Sequence, residues 1–593
     1  MTAYQAPLED VHFLMKDVFK VDQLWAELSG HDELDVDTAD AILEGAAKIC
    51  EQVIAPLNRP SDEQGVVWVD GKIVAADGYK EAYQTFCEGG WNALEGNSEY
   101  GAMGMPKTLV APIDEFVRGS CMSFGLLPML TIGASVAIDK HGSEPIKERY
   151  LPKMYSGEWT GAMDLTEPHC GTDLGLIRTK AVPEADGSYR LSGTKIFITW
   201  GEHELSDNII HLVLAKLPGA PAGTRGISLF LVPKYIVNDD GALGDRNSVS
   251  CGSIEHKMGI KASATCVMNF DAASAWLIGE ENKGLACMFT MMNNERLAVG
   301  VQGLGVAELA YQQALAYAKD RLQGRSPTGA KNKDQEADSL LVHPDIRRIL
   351  LKMKALNEGG RAFYLYVARL LDIEGFSSDP AKQREASSLV ALLTPVVKAF
   401  VTDMAFDTAV DGQQVLGGHG FIREWGLEQH VRDIRITQIY EGTNGIQAMD
   451  LIARKVIPDK GAVLSVYLAE ISAFIDEVEG HARLSFCLPA LRQLVVMVKE
   501  VTDALISASA GDANAPGAAA VDYLHLLGYL SYAYMWAIIT ASLAVSGRDD
   551  VLAQAKWHTA KFFFSKLLPK THALKESILA GSDSLMALGD EHF

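Results

Sequence analysis

The run Ile439-Tyr440-Glu441-Gly442-Thr443-Asn444-Gly445-Ile446-Gln447 sets one carboxylate between an aromatic residue and a glycine, just after the mixed-charge run Arg432-Asp433-Ile434-Arg435. A short acidic loop of this kind holds a single carboxylate against a bound ligand. Taken alone, the same residues also describe an ordinary surface loop. Which reading applies depends on whether partner motifs occur elsewhere in the chain, in a consistent order.

The chain has 593 residues, 48% of them hydrophobic and 22% charged, an ordinary globular composition with enough length for several layers of core. Its formal net charge of -23 repels polyanions. That argues against nucleic acid and requires any phosphate-bearing ligand to find a local basic or amide-rich site. The eight cysteines include no Cys-x-x-Cys pair, so neither a zinc cluster nor a disulfide framework is expected, and a reducing compartment follows. Met1 to Val21 carries Glu9, Asp10 and Asp17 and lacks a basic head with an apolar core, so no leader is expected and the location is expected to be cytoplasmic. Tyr523 to Gly547 runs for 25 residues without Asp, Glu, Lys or Arg, long enough to span a bilayer. His525, Tyr529, Ser531, Tyr532, Tyr534, Thr540 and Ser542 lie inside it, so a buried helix is expected rather than a membrane contact.

Four regions are expected along the chain. Residues 1-160 read as an N-terminal helical domain, with a helix over Val36 to Leu57 whose apolar face carries Ile42, Ala46, Ile49, Val53 and Leu57. Asp37 or Thr38 is its expected N-cap and Pro56 its end. Phe116 to Ile138 reads as two packed helices or one with a break. Residues 161-277 carry short β-rich runs at Tyr189 to Leu191, Lys195 to Thr199, Ile209 to Ala215, Ile227 to Val232 and Cys266 to Phe270, expected to form a small barrel or sandwich. Residues 278-457 return to helical periodicity as a C-terminal four-helix bundle. Its Gly300 to Leu322 reads as a long amphipathic helix with Val301, Leu304, Ala307 or Glu308, Tyr311 and Leu315 on one stripe, and Gln323 to His343 as a polar surface loop. Residues 458-593 read as an appended helical domain, broken at Ala510 to Gly517. The fold class is therefore α+β and multidomain.

Four constellations carry chemistry. In Met163-Asp164-Leu165-Thr166-Glu167-Pro168-His169-Cys170-Gly171-Thr172-Asp173, a glycine turn followed by a hydroxyl exposes backbone amides that bind a pyrophosphate without any basic residue. Gly193-Thr194-Lys195-Ile196-Phe197-Ile198-Thr199-Trp200-Gly201 reads as a strand. Asn293-Asn294-Glu295-Arg296 is followed 25 residues later by Arg321, about seven helical turns on, so both arginines fall on one face of the long helix or at its edge. Gln413-Gln414-Val415-Leu416-Gly417-Gly418-His419-Gly420-Phe421 is a glycine-dense turn that permits close backbone approach to a ligand.

These four, in this order before Tyr440-Glu441-Gly442-Thr443, resemble the acyl-CoA dehydrogenase family over roughly Asp35 to Lys455. The resemblance implies FAD as cofactor and no metal. Thr166, Gly171 and Thr172 would form the flavin loop; Phe197 would cover the flavin, with the Thr199 hydroxyl near N5. Arg321 would reach the pyrophosphate of a neighbouring subunit, Gln414, Gly417 and Gly418 would touch the adenylate in the partner subunit, and Thr443 would also contact the cofactor. Asn293, Tyr440 and Gly442 would contact substrate, as would Arg296, which would lie beside the catalytic carboxylate of Glu441. The implied partners are an acyl-CoA thioester, an electron-transfer flavoprotein and further copies of the chain. Asp164, Cys170, Trp200 and Gln429 depart from the family pattern.

The implied reaction is α,β-dehydrogenation of a saturated acyl-CoA to the trans-2-enoyl-CoA. Glu441 would take the α-proton while flavin N5 takes the β-hydride. The thioester oxygen must be hydrogen-bonded as enolate charge develops, and by resemblance the donors are the Glu441 amide and a ribityl hydroxyl. Burial beside an acyl chain would raise the Glu441 pKa and Arg296 would oppose the rise. The appended helical domain resembles a bacterial subgroup that contains fatty acyl-CoA and 3-methylthiopropanoyl-CoA dehydrogenases. Met288, Phe289, Met291 and Met292 could line an acyl pocket, although core packing is the commoner use of such residues. An acyl-CoA oxidase is the nearest enzymatic alternative. A non-catalytic flavoprotein or a DNA-binding protein on the same scaffold is the alternative of another class, opposed by Glu441 and the charge.

Overall fold

In the computed structural model, which describes residues 3-31 and 33-593, the chain divides into two units that do not follow chain order. One unit comprises Gly45–Pro106 and Phe116–Ala298. The other comprises the N-terminal residues to Glu44, Lys107–Glu115 and Val299–Phe593.

The first unit is built on seven strands: β1 Trp159–Asp164, β2 Lys180–Pro183, β3 Tyr189–Thr199, β4 Asn208–Lys216, β5 Ile227–Pro233, β6 Val249–Ile254 and β7 Thr265–Ile278. Their pairing closes on itself as β7-β3-β2-β4-β5-β7, with β6 added to β7 and β1 added in parallel to β4. This is a small barrel with two flanking strands. β7 serves three partners because register shifts at Cys266/Met268 and Phe270/Ala273 turn it from β3 toward β5. Every residue of β5 is buried, and all of β4 except Lys216 at its end, which explains why these strands read as continuous apolar runs rather than alternating ones. Sequence periodicity missed β1, β2 and β6, and split β3 in two at Gly193. The run at Phe116 to Ile138 resolves into two helices, Lys107–Ser120 and Met122–His141, separated by extended Cys121.

In the second unit the main helices are α1, the part of Gly284–Asp320 from Val299 onward, α2 Pro344–Phe376, α3 Pro380–Val415, α4 Asn444–Met449, α5 Ala462–Glu477, α6 Leu488–Ser509, α7 Ala515–Ser546 and α8 Val551–Phe562. Asp379 caps α3 by accepting from the Ala381 amide, with Pro380 at the first helical position. Residues 299-310 of α1 are buried on every face, so the expected amphipathic stripe is instead a central core helix. The helix from Val36 is α-helical only to Ile49 and then changes pitch; Asp35, not Asp37 or Thr38, caps it by accepting from the Thr38 amide at 2.7 Å. The polar stretch 323-343 folds around buried Asp338, which accepts from the amides of Ser326, Lys331 and Asn332. Those amides hold the Asp338 carboxyl down at about 2.

Among the described residues three helices, Met122–His141, α3 and α7, are long and apolar enough to cross a membrane by length and composition alone. The apolar window of α7 is 89% buried inside the protein, where it packs on α2, α3 and α4. Trp536 of α7 donates to the carbonyl of Ala355 at 3.2 Å, and Tyr532 packs its ring edge on Phe363 and Phe400.

Candidate active site

The expected site residues fall into two groups, one in each unit. In the barrel unit, the loop after β1 is fixed by Glu167, whose carboxylate accepts from the Arg178 amide at 2.7 Å and the Thr179 amide at 3.0 Å. It also receives the Thr179 hydroxyl and the fully buried Lys195 ammonium at 2.9 Å. Burial pushes the Glu167 carboxyl up, but Lys195 and these donors outweigh it and hold it below its ordinary range. With Glu167 anchored, Gly171 and Thr172 are exposed and their amides have no partner among the described residues. Thr166 accepts from the Ile196 amide through its carbonyl at 2.9 Å and so ties the loop to β3.

On β3, Phe197 adopts a left-handed backbone (φ 61°) and is 58% exposed. Few apolar rings are held out in a strained backbone without a reason in function. Thr199 is half-buried, paired with Thr265. Trp200, which departs from the family pattern, is fully buried against Tyr79 and His203. Arg296 is buried, bonded to Asn293 at 3.3 Å and placed over the Phe289 ring. Met288, Met291 and Met292 are buried and Phe289 half-buried.

Among the departures from pattern, Asp164 and His211 form a pair at 3.0 Å with both side chains at 0% exposure. A carboxylate accepts, so His211 carries its proton on Nδ1. Cys170 is buried, its main chain paired with that of Glu167. Gln429 is buried and donates to Asp433 at 3.1 Å.

In the helical unit, Glu441 is half-buried with a left-handed backbone (φ 55°), followed by Gly442 at φ 83°. A Cβ at Gly442 would stand 2.6 Å from the Gln447 amide nitrogen, the group that donates to the Glu441 carbonyl at 3.1 Å. Thr443 caps α4 by accepting from the Ile446 amide. Tyr440 donates its hydroxyl to Gln302. Gln414, one residue before the end of α3, is exposed; Gly417 and Gly418 follow with nothing within 4 Å of a notional Cβ. Arg321 is exposed, one residue past the end of α1.

Sequence reading assigned no role to the residues that hold this acidic loop. Asn444 accepts from Lys398 at 2.8 Å and donates to Ala399, Thr402 and Asp403, all on α3. Asp403 Oδ1 accepts from both Asn444 and Gln438 at 2.7 Å, and Oδ2 from His525 of α7 at 2.8 Å. Burial pushes the Asp403 carboxyl up; the bonds from His525, Gln438 and Asn444 outweigh it and lower it. His525 and Asp403 lie 122 residues apart, and no local pattern links them.

Comparison with known proteins follows the same course along the chain. Family models for the acyl-CoA dehydrogenase N-terminal, middle and C-terminal domains match residues 37–158, 162–273 and 282–457, and one for an acetyl-CoA dehydrogenase C-terminal-like domain matches 467–589. The chain is 42% identical to the 3-methylmercaptopropionyl-CoA dehydrogenase of Ruegeria pomeroyi over 98% of its own length and 99% of the relative's. It is 33% identical over the whole of both chains to a broad-specificity linear acyl-CoA dehydrogenase of Mycobacterium tuberculosis. The structure of an acyl-CoA dehydrogenase from Bacillus anthracis complexed with FAD superposes with a TM-score of 0.75 at 22% identity, covering 95% of this chain and 91% of that one.

Proposed function

The chain belongs to the acyl-CoA dehydrogenase family, and from that premise we propose that it converts a saturated acyl-CoA to the trans-2-enoyl-CoA. The observation that carries this reading is Glu441, a carboxylate in a left-handed backbone whose loop is pinned by Gln447 and Asn444. A base must be held where the α-proton will be, and backbone strain retained against such anchoring is what a positioned base requires.

The residues present fit FAD. Free amides at Gly171 and Thr172 suit a pyrophosphate in a protein of charge -23, the exposed Phe197 ring suits the isoalloxazine face, and the open glycines 417 and 418 admit an adenylate. Bound FAD supplies the two-electron acceptor for the β-hydride. Glu441 removes the α-proton, its own amide donates to the thioester oxygen, and Tyr440, Gly442, Asn293 and Arg296 contact the substrate. Thr166, Thr199 and Thr443 complete the cofactor contacts. The exposure of Arg321, Gln414, Gly417 and Gly418 supports a role toward a cofactor in a second copy, so a homo-oligomer is proposed, with an electron-transfer flavoprotein as acceptor and a cytoplasmic location.

The 42% identity over nearly the full length of the Ruegeria pomeroyi enzyme favours 3-methylmercaptopropionyl-CoA as the second substrate reading beside unbranched fatty acyl-CoAs. The α- and β-carbons are equivalent in both, so the same residues serve either. Anaerobic mixing of the holoenzyme with a panel of saturated thioesters, followed by flavin absorbance, tests both readings. Wild type is expected to bleach and Glu441→Gln to lose at least 10³-fold in rate, on the order of 4 kcal/mol in barrier. Equal bleaching by the Gln variant removes the base assignment. Rapid peroxide formation in air without an added acceptor turns the reading toward an oxidase.

A further inference from the structure

The loop ends that bracket Glu441 meet at one carboxylate. Gln438 lies three residues before Glu441 and Asn444 three after, and both donate to the same oxygen of Asp403 at 2.7 Å. Asp403 therefore closes the loop as a clamp, and it does so only while Oδ1 faces the pair. Its other oxygen is occupied by Nε2–H of His525, which fixes the carboxylate rotamer. Asp403 and His525 side chains are about one-fifth exposed, 20% and 22%, sheltered enough for these charge-assisted bonds to escape full screening.

His525 belongs to α7, within the segment matched by the separate C-terminal family model. Helix α7 reaches α3 closely at this point. A Cβ on Gly528 would stand 2.2 Å from the Phe400 ring, so glycine there lets the two helices approach. The same ring meets His525 edge-on at 5.6 Å. Position of the imidazole is thus set by packing as well as by its hydrogen bond.

We propose that His525 is a positioning residue for the reaction, through which the appended helical region holds the Glu441 loop in register by way of Asp403, Gln438 and Asn444. The proposal rests on Glu441 being the base. Without His525, the Asp403 carboxylate is free to rotate away from its two donors, and the segment between them gains motion. Displacement of a base by about 1 Å lowers a rate on the order of 10²-fold while the thioester's remote contacts are untouched. A catalytic effect with unchanged substrate affinity separates this role from general support of the fold.

The test compares wild type, His525→Ala, His525→Gln and Leu494→Ala as FAD-loaded full-length proteins. Leu494, buried in α6, is the stability control: its truncation lowers Tm by cavity formation without touching the clamp. Readouts are the anaerobic rate of flavin bleaching at saturating thioester, the thioester Kd, Tm, and amide exchange of the peptide spanning 438-447. His525→Ala is expected to slow bleaching 10- to 100-fold at a Kd within twofold of wild type, with faster exchange in that peptide. The amide donor of His525→Gln is expected to recover most of both, and Leu494→Ala to lower Tm with bleaching unchanged. The proposal is overturned if His525→Ala bleaches at the wild-type rate, or if Leu494→Ala slows the reaction as much at equal Tm loss. Failure of the base assignment shows differently: Glu441→Gln then still bleaches, whereas the exchange result for His525→Ala does not depend on that residue's chemistry.

Discussion

Two buried polar atoms beside the loop after β1 have no partner among the described residues: Oδ2 of Asp164 and Nε2 of His211. The pair they belong to satisfies one donor and one acceptor only, so it sits in the barrel unit at a net penalty relative to apolar residues of similar size. Removing one partner makes this worse. Asp164→Ala leaves the His211 Nδ1 proton buried without an acceptor, and is expected to destabilise by about 1–3 kcal/mol. The double change Asp164→Val with His211→Phe is expected to match or exceed wild-type stability, giving a coupling of opposite sign to the single changes in a urea-melt double-mutant cycle. At this scale the sequence is readable where the proposed site residues are contiguous in the chain. Glu441, Phe197 and the Gly171 turn announce themselves within a few positions. Partners such as His211 or His525 do not, because a hydrogen bond across a fold leaves no periodicity in the chain.

The same division holds for elements. Helices and fully buried strands were legible because burial imposes a period or an apolar run. Strand β1 was not, since its six residues straddle the expected boundary at 160/161 between the helical and the β-rich regions. Least legible is the ion network that joins the N-terminal segment, α1, α2 and α8. Arg361 bonds Glu115 at 2.6 Å and Glu308 at 3.0 Å and also pairs with Asp10; Lys556 pairs with Asp10 and, at 3.0 Å, with Glu358, which Lys354 meets as well. Four acids thus share three cations. Burial pushes the Glu115 carboxyl up against the pull of Arg361, whereas Asp10, also buried, is held at about 2 by Lys556 and Arg361. Since the Asp10 carboxyl is depressed below its ordinary 3.8, it contributes stability that is present above that pH and is lost as pH falls toward 2. Arg361→Met strands Glu115 and Glu308 and weakens the hold on Asp10. It is expected to lose about 3–5 kcal/mol at pH 7 and to move acid unfolding to higher pH, both read from thermal and acid melts. Arg361→Lys keeps the charge but not the fork that spans three carboxylates, so it is expected to recover less than half.

At the scale of the helical unit as a whole, the appended helices are part of its core. α7 buries its apolar length on α2, α3 and α4, Tyr532 fills the space over Phe363 and Phe400, and Lys556 supplies one of three cations to the ion network. A chain ended at Ile457 would uncover this face at once. It would expose Phe400 and Phe363, both 0% accessible in the full chain, and leave Asp10 and Glu358 without Lys556. Exposed apolar area of this kind promotes association, and an uncompensated buried carboxylate opposes folding of what remains. The expected outcome is that residues 1-457 expressed alone are recovered largely insoluble, or as a soluble form that binds an apolar dye and holds less than a tenth of the flavin of the full chain. Co-expression of 458-593 as a separate polypeptide is expected to restore soluble, flavin-loaded protein, because the lost contacts are non-covalent. If residues 1-457 alone are soluble, hold flavin and bleach with thioester at the full-length rate, then α7 is a covering rather than a part of the core. The hydrogen bond from His525 to Asp403 would then have no bearing on Glu441.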